Sequence, residues 1–217
     1  MDGIDCGCRL ARHESRLVVL TGGPGAGKTA VLEVVRRHFC EHVVVLPEAA
    51  SILFKGGFPR KETPEGLRAT QRTIFRVQIE LERLAQEEGK AAVVLCDRGT
   101  VDGLAYWPGE ASVFWGELGT SREEQLKRYA TVIHLRTPSA THGYNHDNPQ
   151  RQESARRAMH LDRRIEQAWA GHPDHHFVGS ETDFIVKIEK TLALIRARVP
   201  ECCRTAREAE KAAPAQP

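Results

Sequence analysis

Residues 16–35 read RLVVLTGGPGAGKTAVLEVV. Leu17–Thr21 is a short apolar run of strand type, and the eight residues after it are GGPGAGKT. Gly22, Gly27, Lys28 and Thr29 meet the spacing of a glycine, four residues, a second glycine, a lysine and a hydroxyl. Val31, Val35 and Phe39 then recur at helical spacing. Strand, glycine-rich turn and helix in that order form a cradle for phosphate. Glycines let backbone N–H groups turn inward around phosphate oxygens, and the helix N-terminus adds the positive end of its dipole. The cradle runs through Gly22, Gly23, Pro24, Gly25, Ala26, Gly27, Lys28, Thr29 and Ala30. Lys28 is expected on the β- and γ-phosphates, and the Thr29 hydroxyl on Mg²⁺.

Working outward, four more short apolar runs read as strands: His42–Leu46, Ala91–Cys96, Thr131–Leu135 and His175–Val178. The segments between them have helical spacing. Leu67, Ile74, Leu81 and Leu84 share one expected core face, and Ile188, Leu192, Ile195 and Val199 share another. Such alternation predicts an α/β three-layer sandwich of the P-loop NTPase type, with a five-stranded parallel sheet and helices on both faces. Ligands bind such sheets at the carboxyl ends of the strands. Asp97 closes the third strand at that edge, so it is the expected partner of the Mg²⁺ ion or its water shell; a helix cap or a salt bridge to Arg98 is the competing reading.

The chain has 217 residues, 41% hydrophobic and 28% charged, with a net charge of +2. That balance argues against a protein held to nucleic acid or a membrane surface by bulk charge. No apolar run reaches the roughly 18 residues of a membrane span. MDGIDCGCRLARHESR lacks the apolar segment of a secretory leader, so a cytoplasmic location is expected. Residues 16–199 are expected to form one domain between an N-terminal tail, 1–15, and a disordered C-terminal tail, 200–217. Neither Cys6 with Cys8 nor Cys202 with Cys203 has the spacing of a zinc site, so all six cysteines are expected to be structural or incidental. His142, His146 and Asp147 lie in a loop without helical spacing, and no metal is expected there.

Phosphate loops serve kinases, switches and motors alike. Three features favour phosphoryl transfer to a small molecule. Glu48 ends the second strand, placed to act as general base toward an acceptor hydroxyl or simply to favour a helix N-terminus. The loop KGGFPRKETPEG, residues 55–66, either closes over an acceptor or is a solvated connection. Arg151, Arg156, Arg157, Arg163 and Arg164 fall between the fourth and fifth strands, where a kinase-like lid would place an arginine on the transferring group; Arg157 is the chosen candidate. The chain has no Asn-Lys-x-Asp segment of the kind that reads guanine, which favours ATP with Mg²⁺. The competing reading is a regulatory ATPase or GTPase that acts through a protein partner.

The stretches TGGPGAGKT, LPEAA, DRGTVDGLAY and LDRRIEQAWAGHP together resemble the AAA-type P-loop ATPases related to the ribosylnicotinamide-kinase domain of bacterial NadR proteins. The resemblance spans roughly residues 16–199 and implies a nucleoside-kinase-type fold that performs phosphoryl transfer alone. DRGTVDGLAY is also similar to the Asp-Arg…Ser…Ala-Tyr-Gln element of thymidylate kinases, which implies an acceptor contact for Arg98 and Tyr106. Asp102 stands where those enzymes carry serine. Its carboxylate is expected either to repel a phosphorylated acceptor in favour of a neutral or cationic nucleoside, or to cap a helix.

Overall fold

Side chains alternate along a strand, so Val18 and Leu20 of β1 (Arg16–Thr21) face one layer while Leu17 and Val19 face the other; all four are buried. This is the pattern of a strand covered on both faces. The computed structural model describes residues 8, 12–138, 155–179, 184–201 and 203. β1 lies at the centre of a five-stranded parallel sheet with order β2-β3-β1-β4-β5, where β2 is Val43–Leu46, β3 Val93–Asp97, β4 Thr131–Leu135 and β5 His175–Val178. Two runs match their expected bounds; the others shift by a residue or two, and Asp97 is itself the last residue of β3.

One layer packs α1 (Lys28–His38) and α7 (Phe184–Arg196) on the face carrying Val18, Leu20, Leu95 and Ile133. The other packs α3 (Pro64–Glu88), a 3₁₀ segment (Thr100–Tyr106), α4 (Ala111–Leu118) and α6 (Ala155–Trp169) on Leu17, Val19, Val94 and Val132. Short helices α2 (Ala49–Lys55) and α5 (Arg122–Lys127) complete the chain. The stripe Val31, Val35, Phe39 is buried as expected, as are Leu192, Ile195 and Val199.

The stripe on α3 is corrected in part: Leu81 packs against the core as expected, and the other three do not. Leu84 is 57% exposed, and Leu67 and Ile74 line a cavity rather than the core. The inward face of α3 carries Thr70, Gln71, Phe75, Gln78, Glu82 and Ala85 instead. The physical reason is a buried polar network that hydrophobic periodicity cannot register. Glu82, fully buried, accepts from Gln78 Nε2 (2.8 Å), Arg128 Nη2 (2.6 Å) and the Tyr129 hydroxyl (2.8 Å). The same Tyr129 oxygen accepts from the Thr100 N–H at 2.8 Å. Glu82 thereby fixes where the 3₁₀ segment leaves β3.

Residues just outside the expected 16–199 core also pack against it. The His13 N–H donates to the Gly89 carbonyl (2.7 Å), the Ser15 hydroxyl to that of Ala91 (2.6 Å), and Cys203 is buried against the α1–α7 layer. His142, His146, Asp147, Arg151 and the part of the expected lid in 139–154 lie outside the described residues.

Glu82→Ala would remove the carboxylate that Arg128 pairs with and one of the bonds that hold the buried Tyr129 hydroxyl. Breaking such a pair from one side costs about 3–5 kcal/mol. Urea unfolding of parent and variant should show a loss of that order; a difference under about 1 kcal/mol would remove Glu82 from the framework.

Candidate functional site

In a parallel sheet every strand delivers its carboxyl end to the same edge. The loop after β1, Asp97 at the tip of β3 and Glu48 just past β2 therefore meet. Pairing of β1 with β3 sets Leu20 opposite Asp97, so the phosphate loop and that carboxylate leave the sheet side by side.

The loop conformation requires glycine at two positions. Gly22 has φ 137°, and a Cβ there would lie 2.1 Å from the Leu135 carbonyl oxygen. Gly27, with φ 92°, turns the chain into α1, and a Cβ would strike the Phe184 ring at 2.6 Å. Lys28 opens α1 and folds back to donate to the carbonyls of Gly22 (2.9 Å) and Gly23 (3.3 Å). Burial and the neighbouring Arg98 guanidinium lower its pKa to about 8. Thr29 follows in the first turn, exposed to solvent.

Behind the loop stands a residue that sequence reasoning passed over. Asp162 of α6 accepts from the Gly23 N–H at 2.8 Å and faces His134 Nε2 at 3.0 Å. Burial pushes this carboxyl up, but His134, the Gly23 N–H and Arg136 outweigh it and hold the pKa low. Thr137 donates to the Pro24 carbonyl at 3.3 Å. A carboxylate on the apolar stripe of α6, between Leu161 and Ile165, was the available signal.

Asp97 is the unsatisfied group of the edge. Its Oδ1 is buried and has no hydrogen-bond partner among the described residues. Burial raises its pKa, and Lys28 and Arg98 offset that only in part. Lys28 and Arg98 bring two positive charges against the three carboxylates Glu48, Asp97 and Asp102. One negative charge is left over, and an orphaned acidic oxygen carries it. Such a set of oxygen donors is of the kind that could hold a hard divalent cation, for which Asp97 and the Thr29 hydroxyl are the candidate ligands.

Arg98 is the non-glycine residue with positive φ (73°) among the described residues, and this turn aims its side chain back along the edge. Its Nε donates to Glu48 Oε1 (2.9 Å) and its Nη1 to Asp102 Oδ1 (3.2 Å), and the guanidinium lies 5.8 Å from the Tyr106 ring centre. Glu48 also accepts from the Ser51 hydroxyl at 2.5 Å. Burial alone would raise the Glu48 pKa; Arg98 and Ser51 prevail and hold it below the usual range.

Asp102 does not project a free charge at an acceptor. It is buried and accepts from the Thr21 hydroxyl, the Gly99 N–H (3.0 Å), Trp169 Nε1 (3.0 Å) and Arg98. The bond from Gly99 closes the first turn of the 3₁₀ segment, so the capping alternative holds and the expected repulsion of a phosphorylated acceptor does not follow.

Beside this edge lies a cavity of about 470 Å³ between α2, α3, the 3₁₀ segment and α6. Phe54, Leu67, Ile74 and Phe75 form an apolar wall, while Arg60, Lys61, Arg157 and Arg164 bring positive charge. Glu48 and Arg98 sit on its lining. Arg60 belongs to the 55–66 loop, which does border the cavity, and stacks 4.1 Å over Phe54. Arg164 donates to the Trp107 carbonyl at 3.2 Å. Arg156 and Arg163 are exposed and stand off the cavity.

A glycine-rich phosphate-loop motif, a charged strand edge and an adjoining pocket on a five-stranded parallel sheet define a protein of the P-loop, kinase-like fold. The chain belongs to the AAA-domain family: a family model described as an AAA domain matches residues 17–183. Among solved structures, it is similar to thymidylate kinase from Ehrlichia chaffeensis, with TM-score 0.53 and 12% identity, covering 83% of this chain and 98% of that one. At that identity the likeness shows the fold. A comparison with curated proteins gives no match. Among the described residues, no helix is long and apolar enough to cross a membrane.

Phosphate binding favours charged Lys28, so it should raise the lysine's pKa from about 8 and draw in a proton. Affinity for a nucleoside triphosphate should be flat below pH 7 and fall above pH 8 by up to about tenfold per unit. Calorimetry at pH 8.5 in two buffers of different ionisation heat should detect that uptake; no uptake and a flat profile to pH 9.5 would contradict the assignment. Asp97→Asn keeps the shape and loses the charge, so the Mg²⁺ enhancement of nucleotide binding should shrink while metal-free binding persists. Equal Mg²⁺ dependence in both proteins would make Asp97 a structural residue.

Proposed function

We propose that this protein is a kinase that transfers the γ-phosphoryl group of ATP to a hydroxyl of a small, nucleoside-like acceptor. The observation that carries the reading is the cavity at the carboxyl edge of the sheet, with Glu48 and Arg98 on its lining. A nucleotide switch needs no second pocket at that edge. The volume of about 470 Å³ lies within the range of small-molecule sites and suits a single nucleoside-sized ligand.

Lys28 and the loop N–H groups bind the β- and γ-phosphates, and Thr29 with Asp97 would hold Mg²⁺. When bound, the cation neutralises charge on the phosphate oxygens. The acceptor lies against Phe54, Leu67, Ile74 and Phe75, with its hydroxyl toward Glu48. As the bond from γ-phosphorus to the β-bridging oxygen breaks, a bond to the acceptor oxygen forms, and Glu48 takes the hydroxyl proton. Arg98 holds Glu48 in place, and Arg157 on the cavity wall supplies charge to the transferring group. The low pKa of Glu48 keeps it ionised but makes it a weak base. Its contribution therefore belongs near the lower end of the usual range of about 10²–10⁴-fold.

Because Asp102 is neutralised by Arg98 while Arg60, Lys61, Arg157 and Arg164 surround the pocket, an acceptor that already bears a phosphate fits as well as a neutral nucleoside. Screening nucleosides and nucleoside monophosphates for stimulated ATP consumption tests both. With a responding acceptor, Glu48→Gln should lower turnover by about 10²-fold and leave ATP affinity nearly unchanged. Slow ATP hydrolysis that no acceptor stimulates, equal in parent and variant, would favour the regulatory ATPase reading.

A further inference from the structure

Two cysteines and two histidines from three distant parts of the chain meet at the sheet edge opposite the phosphate loop. Cys8 and His13 come from the segment before β1, His42 immediately precedes β2, and Cys203 follows α7. One donor atom from each can be chosen so that all four lie within 4.8 Å of one another. We propose that Cys8, His13, His42 and Cys203 form a zinc site that fastens both ends of the chain to the start of β2.

Bond lengths argue for a tetrahedral ion. Zinc–sulfur bonds of about 2.3 Å and zinc–nitrogen bonds of about 2.0–2.1 Å, at the tetrahedral angle, place sulfur and nitrogen about 3.6 Å apart. Cys8 Sγ lies 3.7 Å from His13 Nε2, and Cys203 Sγ lies 3.4 Å from His42 Nδ1. Both distances suit a hydrogen bond to sulfur in the metal-free chain and equally suit two ligands of one ion.

Charge and burial agree. Two thiolates cancel the charge of a divalent zinc ion and the imidazoles stay neutral, so the complex carries no net charge into an environment where Cys203 and His42 are buried. Two sulfur and two imidazole donors select zinc over the hard cations that suit Asp97.

The framework around the site is held independently of any ion. The His42 carbonyl accepts from the Ala92 and Val93 N–H groups, the His13 N–H donates to Gly89, and the Cys203 N–H donates to the Pro200 carbonyl. Cysteine spacing in the sequence hid the arrangement, because Cys8 and Cys203 are far apart in the chain and His42 precedes β2. The site does not touch the nucleotide edge, so its test is separate from that of the kinase reading.

Tag-free protein purified without chelator should contain about one zinc per chain. Cobalt exchanged into the apo form should give the visible bands of a tetrahedral ion together with a thiolate charge-transfer band, which an oxygen-ligated ion at Asp97 cannot give. Chelation should lower the melting temperature, and added zinc should restore it. Cys8→Ser and Cys203→Ser should each lose the charge-transfer intensity and most of the zinc, whereas Cys6→Ser and Cys202→Ser should keep both. The proposal fails if the reconstituted parent holds no zinc, if its cobalt spectrum lacks the thiolate band, if Cys6→Ser or Cys202→Ser removes the metal, or if Cys8 and Cys203 form a disulfide in reduced protein. Should the serine variants not fold, the cobalt spectrum of the parent decides.

Discussion

The carboxylate of Asp102 is the constraint on which the rest of the active edge depends. It is buried, and it binds four groups from three places: the Thr21 hydroxyl at the end of β1, the Arg98 guanidinium and the Gly99 N–H in the turn after β3, and the Trp169 indole of α6. An ionised carboxylate without partners could not remain in such a site, and hydrogen bonds to a charged group are each worth about 1.5–3 kcal/mol. Satisfying it demands that β1, the turn after β3 and α6 all be in place together. The phosphate loop begins at the residue after Thr21, so its starting direction follows from the same carboxylate.

From Asp102 the order passes to Arg98 and on to Glu48. Arg98 accepts a left-handed backbone conformation to reach both carboxylates, a cost of order 1–3 kcal/mol that two charge-assisted bonds offset. Glu48 is thereby held against α2 and the cavity. Asp97, one residue before Arg98, is left with an unpartnered oxygen and a raised pKa. Adjacent residues thus take opposite parts: Arg98 closes an internal network, and Asp97 keeps an oxygen with no hydrogen-bond partner among the described residues. This accounts for a carboxylate at the end of a strand buried on both faces.

The sheet separates two kinds of chemistry. Its carboxyl edge carries oxygen donors and a phosphate cradle. At its amino edge, sulfur and imidazole donors from both chain ends meet at His42. The four residues of β2 connect the two, with His42 before it and Glu48 shortly after.

Local order made much of this legible. A phosphate loop uses consecutive backbone N–H groups, so GGPGAGKT between a strand and a helix announces itself, and the alternation of apolar runs with helical stripes determines a parallel three-layer sheet. The expected place of Asp97 at the carboxyl end of the third strand also holds. What tertiary structure decided are contacts between residues that sequence separates. Thr21 meets Asp102 across 81 positions, Arg98 meets Glu48 across 50, and Gly23 meets Asp162 across 139. Leu67 and Ile74 have the spacing of core residues and line a cavity, because a buried polar network holds the inward face of α3. Periodicity reports which side chains share a face. Only the folded chain sets what that face meets, because register and packing bring distant charges within hydrogen-bonding distance.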